Sequence, residues 1–135
     1  MKYFLDTNIF IRIYLGDNDI QLKFVEEFIN KARKNNDVIL VALDTIIEFE
    51  YVLRKVYKQD KIIVIKYIKS ILTTSYLKIP EKQVAELAMN LFEICNADFV
   101  DCVLFSRSTL VGGKVVSFDK DFKKIKMAYE KLDRS

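Results

Sequence analysis

The sequence predicts an α/β fold, in which a short central sheet of mostly parallel strands carries helices on both faces. Short apolar runs typical of buried strands alternate along the chain with longer segments of helical periodicity. The 135 residues include only 3 Gly and 1 Pro, so helices should dominate and long irregular segments should be rare. Because strands and helices alternate, we expect right-handed crossovers and therefore parallel strand pairs.

Each predicted strand is a short apolar run bounded by turn residues or by an acid. The first run ends at Asp6, and the second, Val-Ile-Leu-Val-Ala, is continuous and suits a strand buried in a parallel sheet. The third run ends at Pro80, and the fourth follows the turn at Gly112 and Gly113. The predicted strands are residues 2–5, 38–42, 76–79 and 115–118.

Apolar residues at spacings of three and four predict the helices. The clearest case is the amphipathic helix at 20–34, where Leu22, Val25, Ile29 and Ala32 share one face. We expect a single domain over residues 1–135, with a charged tail after about residue 127 that is a helix or partly loose. The predicted helices are residues 8–15, 20–34, 45–57, 60–74, 81–94 and 98–110.

Composition narrows the possible chemistry. The formal charge of +3 permits a polyanionic partner without requiring one. The chain has no histidine, which excludes Ser-His-Asp and Cys-His mechanisms as well as histidine-ligated zinc. Cys95 and Cys102 fit a reducing cytoplasm, and no run approaches the roughly 18 apolar residues of a membrane helix. We therefore expect a cytoplasmic protein whose chemistry relies on carboxylates, Lys, Tyr or an oxygen-bound metal ion.

Acidic side chains lie where predicted strands end or helices begin. In a parallel sheet, functional sites form outside the carboxyl ends of the strands, so these acids should collect at one edge. They are Asp6 after the first strand, Asp44 and Glu48 after the second, Asp98 and Asp101 at the start of the helix before the last strand, and Asp119 and Asp121 after that strand.

Taken singly, each acid also fits an ordinary structural role. Asp6 or Asn8 suits the N-cap of the first helix, and Thr-Ile-Ile-Glu at 45–48 matches a capping box. Asp98 and Asp119 likewise suit caps or turns. Taken together, carboxylates at one edge would repel one another unless a cation compensates them.

A divalent cation would supply that compensation. Oxygen ligands select Mg²⁺ or Mn²⁺ over zinc or copper. Such a cluster supports attack by metal-activated water on a phosphodiester, with one or two metals holding the attacking and leaving oxygens.

Four segments carry these acids in a recognisable order. They are Phe-Leu-Asp-Thr-Asn at 4–8, Thr-Ile-Ile-Glu-Phe-Glu-Tyr-Val-Leu-Arg at 45–54, Asn-Ala-Asp-Phe-Val-Asp at 96–101, and Val-Ser-Phe-Asp-Lys-Asp-Phe at 116–122. Together they resemble the motifs of the PIN-domain ribonucleases, and within that family those of the VapC toxins of bacterial and archaeal toxin–antitoxin pairs. The resemblance spans nearly the whole chain and implies a PIN-like version of the predicted α/β fold.

The resemblance implies five metal-binding acids. Asp6 and Asp101 would be the central ligands, Glu48 and Asp119 would bind the metal directly or through water, and Asp98 would be a further ligand. Four of them, Asp6, Glu48, Asp101 and Asp119, would be the catalytic set. The ion would be Mg²⁺ or Mn²⁺.

Helical phase alone does not choose between Glu48 and Glu50, because apolar residues flank both. The resemblance selects Glu48 as the metal-binding acid. It leaves Glu50 and Asp121 in surface or structural roles.

Other residues would support the acids or the substrate. Thr7 and Ser117 would orient the acids through hydrogen bonds, and Asn8 would fix the turn and cap the first helix. Arg12 and Lys120 are candidate phosphate contacts, although both also suit ordinary surface charges. Most Phe and Tyr residues fall on apolar helix faces and are expected in the core.

The implied function is that of an Mg²⁺- or Mn²⁺-dependent endoribonuclease acting as a toxin on RNA, with tRNA and rRNA among the candidates. A cognate antitoxin would fill the groove, and the chain would form a homodimer. Two alternatives remain: a PIN-like module that binds RNA or protein without cutting, and a PIN nuclease of RNA processing that has no antitoxin. A phospho-acceptor signalling domain fits poorly, because the first loop carries Asp-Thr-Asn in place of an acidic pair.

Overall fold

The computed structural model describes residues 1–133, which divide into two compact units, Met1–Pro80 and the part from Glu81 onward. The first unit holds the sheet and four helices: β1 (Lys2–Phe4), α1 (Thr7–Leu15), α2 (Asp19–Lys34), β2 (Val38–Leu40), α3 (Leu43–Lys55), α4 (Lys61–Thr73) and β3 (Leu77–Lys78). The second unit is helical: α5 (Lys82–Ile94), α6 (Phe99–Leu110) and α7 (Asp121–Asp133).

The sheet is parallel, with strand order β1-β2-β3. Tyr3 lies opposite Ile39, which in turn lies opposite Leu77. Pairing extends one residue beyond β1, because the Leu5 amide donates to the Leu40 carbonyl at 3.0 Å. The predicted α/β class with a short parallel sheet is confirmed, and three of the four predicted strands are present in residues 1–133.

Aromatic contacts hold α1 against α3 and α4 in the first unit. The rings of Phe10 and Phe49 are 6.0 Å apart and almost fully buried. Tyr14 stacks on Tyr67 of α4 at 4.8 Å. Burying large rings stabilises a core strongly, so this packing fixes α1 and α3, which carry the acids of the first unit.

The second unit is built around α6. Phe92 of α5 meets Phe99 of α6 edge to face at 5.4 Å, and Phe105 of α6 meets Tyr129 of α7 at 5.6 Å. Helix α7 continues past residue 127 to Asp133. The helices of this unit therefore position the acids at the start of α6 and of α7.

The predicted fourth strand is wrong. Residues 115–118 form no strand, and the side chains of Val116 and Phe118 are 98% and 108% exposed. An apolar run becomes a strand only where a neighbouring strand supplies hydrogen-bond partners, and in the described part of the chain none pairs with this one. The segment instead follows the turn at Gly112, whose φ of 75° suits glycine.

Two predicted helix starts differ from the structure. Helix α1 starts at Thr7, and of its two candidate caps Asp6 is the N-cap: its carboxylate accepts the Thr7 amide, and Asn8, which we expected to cap the helix, lies inside it. Helix α3 starts at Leu43 with Ala42 at its N-cap, so Thr45 lies within the helix and the capping box does not form. Within residues 1–133, no helix has the length and apolar character needed to cross a membrane.

Candidate metal centre

Asp6 lies two residues beyond β1, at the N-cap of α1. Its backbone is extended, with φ −82° and ψ 162°, and its Oδ1 accepts a hydrogen bond from the Thr7 amide at 2.8 Å. The positive end of the helix dipole favours a negative charge at this place. The Asp6 side chain is exposed, so an oxygen of its carboxylate stays accessible to solvent.

Thr7 links the end of β1 to α3. Its side chain is only 3% exposed, and its Oγ1 donates to Glu48 Oε2 at 3.0 Å. Glu48 itself is exposed. A buried hydroxyl therefore fixes the direction of an accessible carboxylate.

The structure also separates Glu48 from Glu50. Glu50 is 3% exposed, and Arg54 one turn later holds it, with Arg54 Nε 2.6 Å from Glu50 Oε2 and Nη2 3.3 Å from Oε1. A buried carboxylate is tolerated when a cation pairs with it. Glu50 thus has a structural role, while Glu48 is the acid available to a ligand.

In the second unit, the acids lie at the starts of two helices. Asp98 is the N-cap residue of α6 but accepts no cap hydrogen bond through its side chain, and Asp101 lies in the first turn. Ser117 Oγ accepts a hydrogen bond from the Asp119 amide at 3.0 Å, so Ser117 holds the backbone of Asp119. Asp119 Oδ1 in turn accepts the Asp121 amide at 2.9 Å, which closes the turn into α7.

Three carboxylates of the second unit converge. One oxygen each from Asp101, Asp119 and Asp121 lies within 4.8 Å of the other two. The pKa of Asp101 is raised above its usual 3.8, first because burial disfavours the carboxylate and then because of the charges of Asp119, Asp98 and Asp121. A set of oxygen donors that repel one another in this way fits a hard divalent cation.

Asp121 was missed as a member of this cluster. We predicted a surface or structural role, and it does pair with Lys124 at 3.3 Å, yet it also faces Asp101 and Asp119. Asp119 and Asp121 lie in one turn, in which the Asp121 amide donates to Asp119 Oδ1, and the sequence shows only their spacing of two. Asp98 influences Asp101 by its charge without joining the three converging oxygens.

The two candidate phosphate contacts differ in their surroundings. Arg12 pairs with Asp17, and this contact raises the pKa of Arg12 above its usual value. Lys120 is exposed beside Asp119. To bind a phosphate, Arg12 would have to share or give up its contact with Asp17.

The chain was compared with known protein families, curated proteins and solved structures. Residues 3–127 match the PIN domain family. The chain is 25% identical over 122 residues to a protein described as a VapC ribonuclease from Aquifex aeolicus (strain VF5), and the match covers 90% of each chain. No solved structure matches significantly. Since the family match covers nearly all of the chain, from β1 into α7, the protein belongs to the PIN domain family.

Proposed function

We propose that this protein is a metal-dependent endoribonuclease that hydrolyses phosphodiester bonds of RNA. The observation that carries the proposal is the convergence of Asp101, Asp119 and Asp121 in a chain of the PIN domain family. The relative from Aquifex aeolicus is described as a ribonuclease, which supports RNA as the substrate.

The donor set favours Mg²⁺ or Mn²⁺, because the converging atoms are all carboxylate oxygens. Asp121 joins the candidates because of its position beside Asp101 and Asp119. The residues that we assign to metal binding from the family resemblance are Asp6, Glu48, Asp98, Asp101 and Asp119.

The remaining site residues hold these acids in place. When bound, the ion supplies positive charge that activates water and offsets charge developing on the phosphate. Thr7 fixes the direction of Glu48, and Ser117 fixes the backbone of Asp119. In the net reaction the water oxygen bonds to phosphorus, a P–O bond to ribose breaks, and the leaving ribose oxygen takes a proton.

We further propose that the protein acts in the cytoplasm as the toxin of a toxin–antitoxin pair and forms a homodimer. Exposed apolar side chains support a protein partner, since such groups suit interfaces. Ile20 and Phe24 of α2 are 84% and 67% exposed, and Ile62 of α4 is 80% exposed. These helices are therefore the first surfaces to probe for contacts with a second copy or with an antitoxin.

The proposal is tested by incubating the antitoxin-free protein with tRNA and rRNA in Mg²⁺, in Mn²⁺ or in EDTA. We expect discrete fragments with either metal, none in EDTA, and none from Asp6→Asn. Asp60→Asn is the matched control, because Asp60 is an exposed N-cap acid whose side chain makes no cap hydrogen bond. Equal cutting by Asp6→Asn and the wild type would refute the site, and binding without cutting would favour a non-catalytic module.

A further inference from the structure

A cavity of about 470 Å³ lies beside Asp119 in the second unit. Residues of α6, of α7 and of the segment 113–119 line it. Its volume falls within the range of about 300–1,000 Å³ that is usual for small-ligand sites. Because Ser117 and Asp119 form part of its wall, the cavity begins at the candidate metal centre.

Three aromatic side chains line the cavity: Phe105, Phe122 and Tyr129. Phe105 and Tyr129 pack edge to face with ring centroids 5.6 Å apart. All three residues are only half-buried, so ring surface remains open to the cavity. Aromatic faces of this kind stack nucleobases without demanding a particular base.

Three lysines, Lys114, Lys123 and Lys126, also line the cavity and are exposed. Lys123 and Lys126 are three residues apart on α7 and so share one face of the helix. Within residues 1–133 none of the three takes part in an ion pair, whereas Lys124 of the same helix pairs with Asp121. Unpaired lysines beside an aromatic wall suit the phosphates of a nucleic acid.

We propose that this cavity binds one nucleotide of single-stranded RNA beside the bond to be cut. The base lies against the aromatic rings and the neighbouring phosphates contact the lysines. Glu130, which also lines the cavity, offers an acceptor to the exocyclic amino group of a base. A base can enter only when it is unstacked, so the site selects single strands. This inference rests on the proposed ribonuclease function.

The lysine contacts are tested by binding of a fluorescein-labelled, mixed-sequence single-stranded RNA in EDTA, measured by anisotropy at several salt concentrations. We expect Lys123→Ala and Lys126→Ala each to bind more weakly and to lower the slope of log affinity against log salt by about 0.7. Lys131→Ala is the matched control, because Lys131 is exposed on α7 but does not line the cavity. Variants that bind like this control would overturn the inference.

The aromatic contact is tested by Phe122→Ala, with Phe122→Tyr retaining a ring. We expect the Ala variant to bind single-stranded RNA about fivefold to a hundredfold more weakly and the Tyr variant to bind like the wild type. Circular dichroism checks that the variants are folded. If Phe122→Ala does not fold, the wild type is tested by competition against the labelled single-stranded RNA. Unlabelled double-stranded RNA that displaces the probe as well as unlabelled single-stranded RNA does would overturn base binding.

The two proposals fail in different ways. A wild type that never cuts the RNA in Mn²⁺, while the lysine variants bind it more weakly than Lys131→Ala in EDTA, would refute the nuclease and leave the cavity as an RNA-binding site with no bond to cut. A wild type that cuts RNA, while the lysine variants bind like Lys131→Ala, would refute the cavity assignment alone.

Discussion

Replacing Asp101 by Asn should stabilise the metal-free protein. The substitution keeps the shape of the side chain and removes one charge from a cluster whose oxygens lie within 4.8 Å of one another. Two unit charges at that distance repel by about 0.9 kcal/mol at the dielectric constant of water. Screening at physiological salt lowers this repulsion to about 0.5 kcal/mol per pair. Removing the repulsion of Asp101 by Asp119 and by Asp121 should therefore stabilise the folded state by about 1 kcal/mol in total.

The measurement is urea unfolding of the wild type and of Asp101→Asn, first in EDTA and then with Mn²⁺. We expect the variant to be more stable in EDTA and to gain less from Mn²⁺, because metal binding to the folded state adds stability in proportion to its affinity. Glu86→Gln, at an exposed acid of α5 outside the cluster, is the control. A variant less stable than the wild type in EDTA, or one with an undiminished gain from Mn²⁺, would refute this reasoning.

The stability of the wild type and that of Asp101→Asn should depend differently on pH. The pKa of Asp101 is raised in the folded state, so its protonation stabilises the fold at low pH. That contribution is fully present below the usual pKa of 3.8 and is lost as the pH rises through the raised value. The advantage of Asp101→Asn in EDTA should therefore appear as the pH rises above about 4 and vanish below it.

Two further predictions concern Thr7 and Arg54 of the first unit, and Arg107 of the second unit provides the control for Arg54. Thr7→Val should cost about 1 kcal/mol of unfolding free energy and slow cleavage, because Glu48 loses its buried donor, whereas Thr7→Ser should restore both in urea unfolding and single-turnover assays. Arg54→Met should cost about 3 kcal/mol, because it leaves Glu50 buried without its cation. Arg107→Met, which breaks an exposed pair, should cost under about 1 kcal/mol, and equal losses would contradict the role of burial.

Local patterns predicted the parallel sheet and the helices well. The apolar runs that became β1 and β2 are bounded by a cap or by a helix start, so pattern and packing agree there. The run at 115–118 looks similar in the sequence, but whether it forms a strand depends on whether another strand pairs with it. Sequence periodicity carries no information about that partner, which is why the fourth strand was wrong.

The same distinction applies to the candidate site. The sequence shows which residues are acidic. Helical phase alone did not distinguish Glu48 from Glu50, whereas in the structure Glu50 is the acid that pairs with Arg54. The place of Asp121 beside Asp101 and Asp119 could not be read from the sequence, because it depends on the turn that Asp119 closes. Residue types thus identified the candidate acids, while burial and tertiary hydrogen bonds decided which of them are available to a ligand.

The central claim is that the proposed metal-binding acids hold a divalent ion with which the protein hydrolyses RNA. It is tested most directly by the single-turnover rate of RNA cleavage across a Mn²⁺ titration for the wild type and Asp101→Asn. We expect the wild-type rate to rise with Mn²⁺ and saturate, and the variant to be slower by at least about a hundredfold. Cleavage that persists in EDTA, or a variant that cuts at the wild-type rate, would contradict the claim.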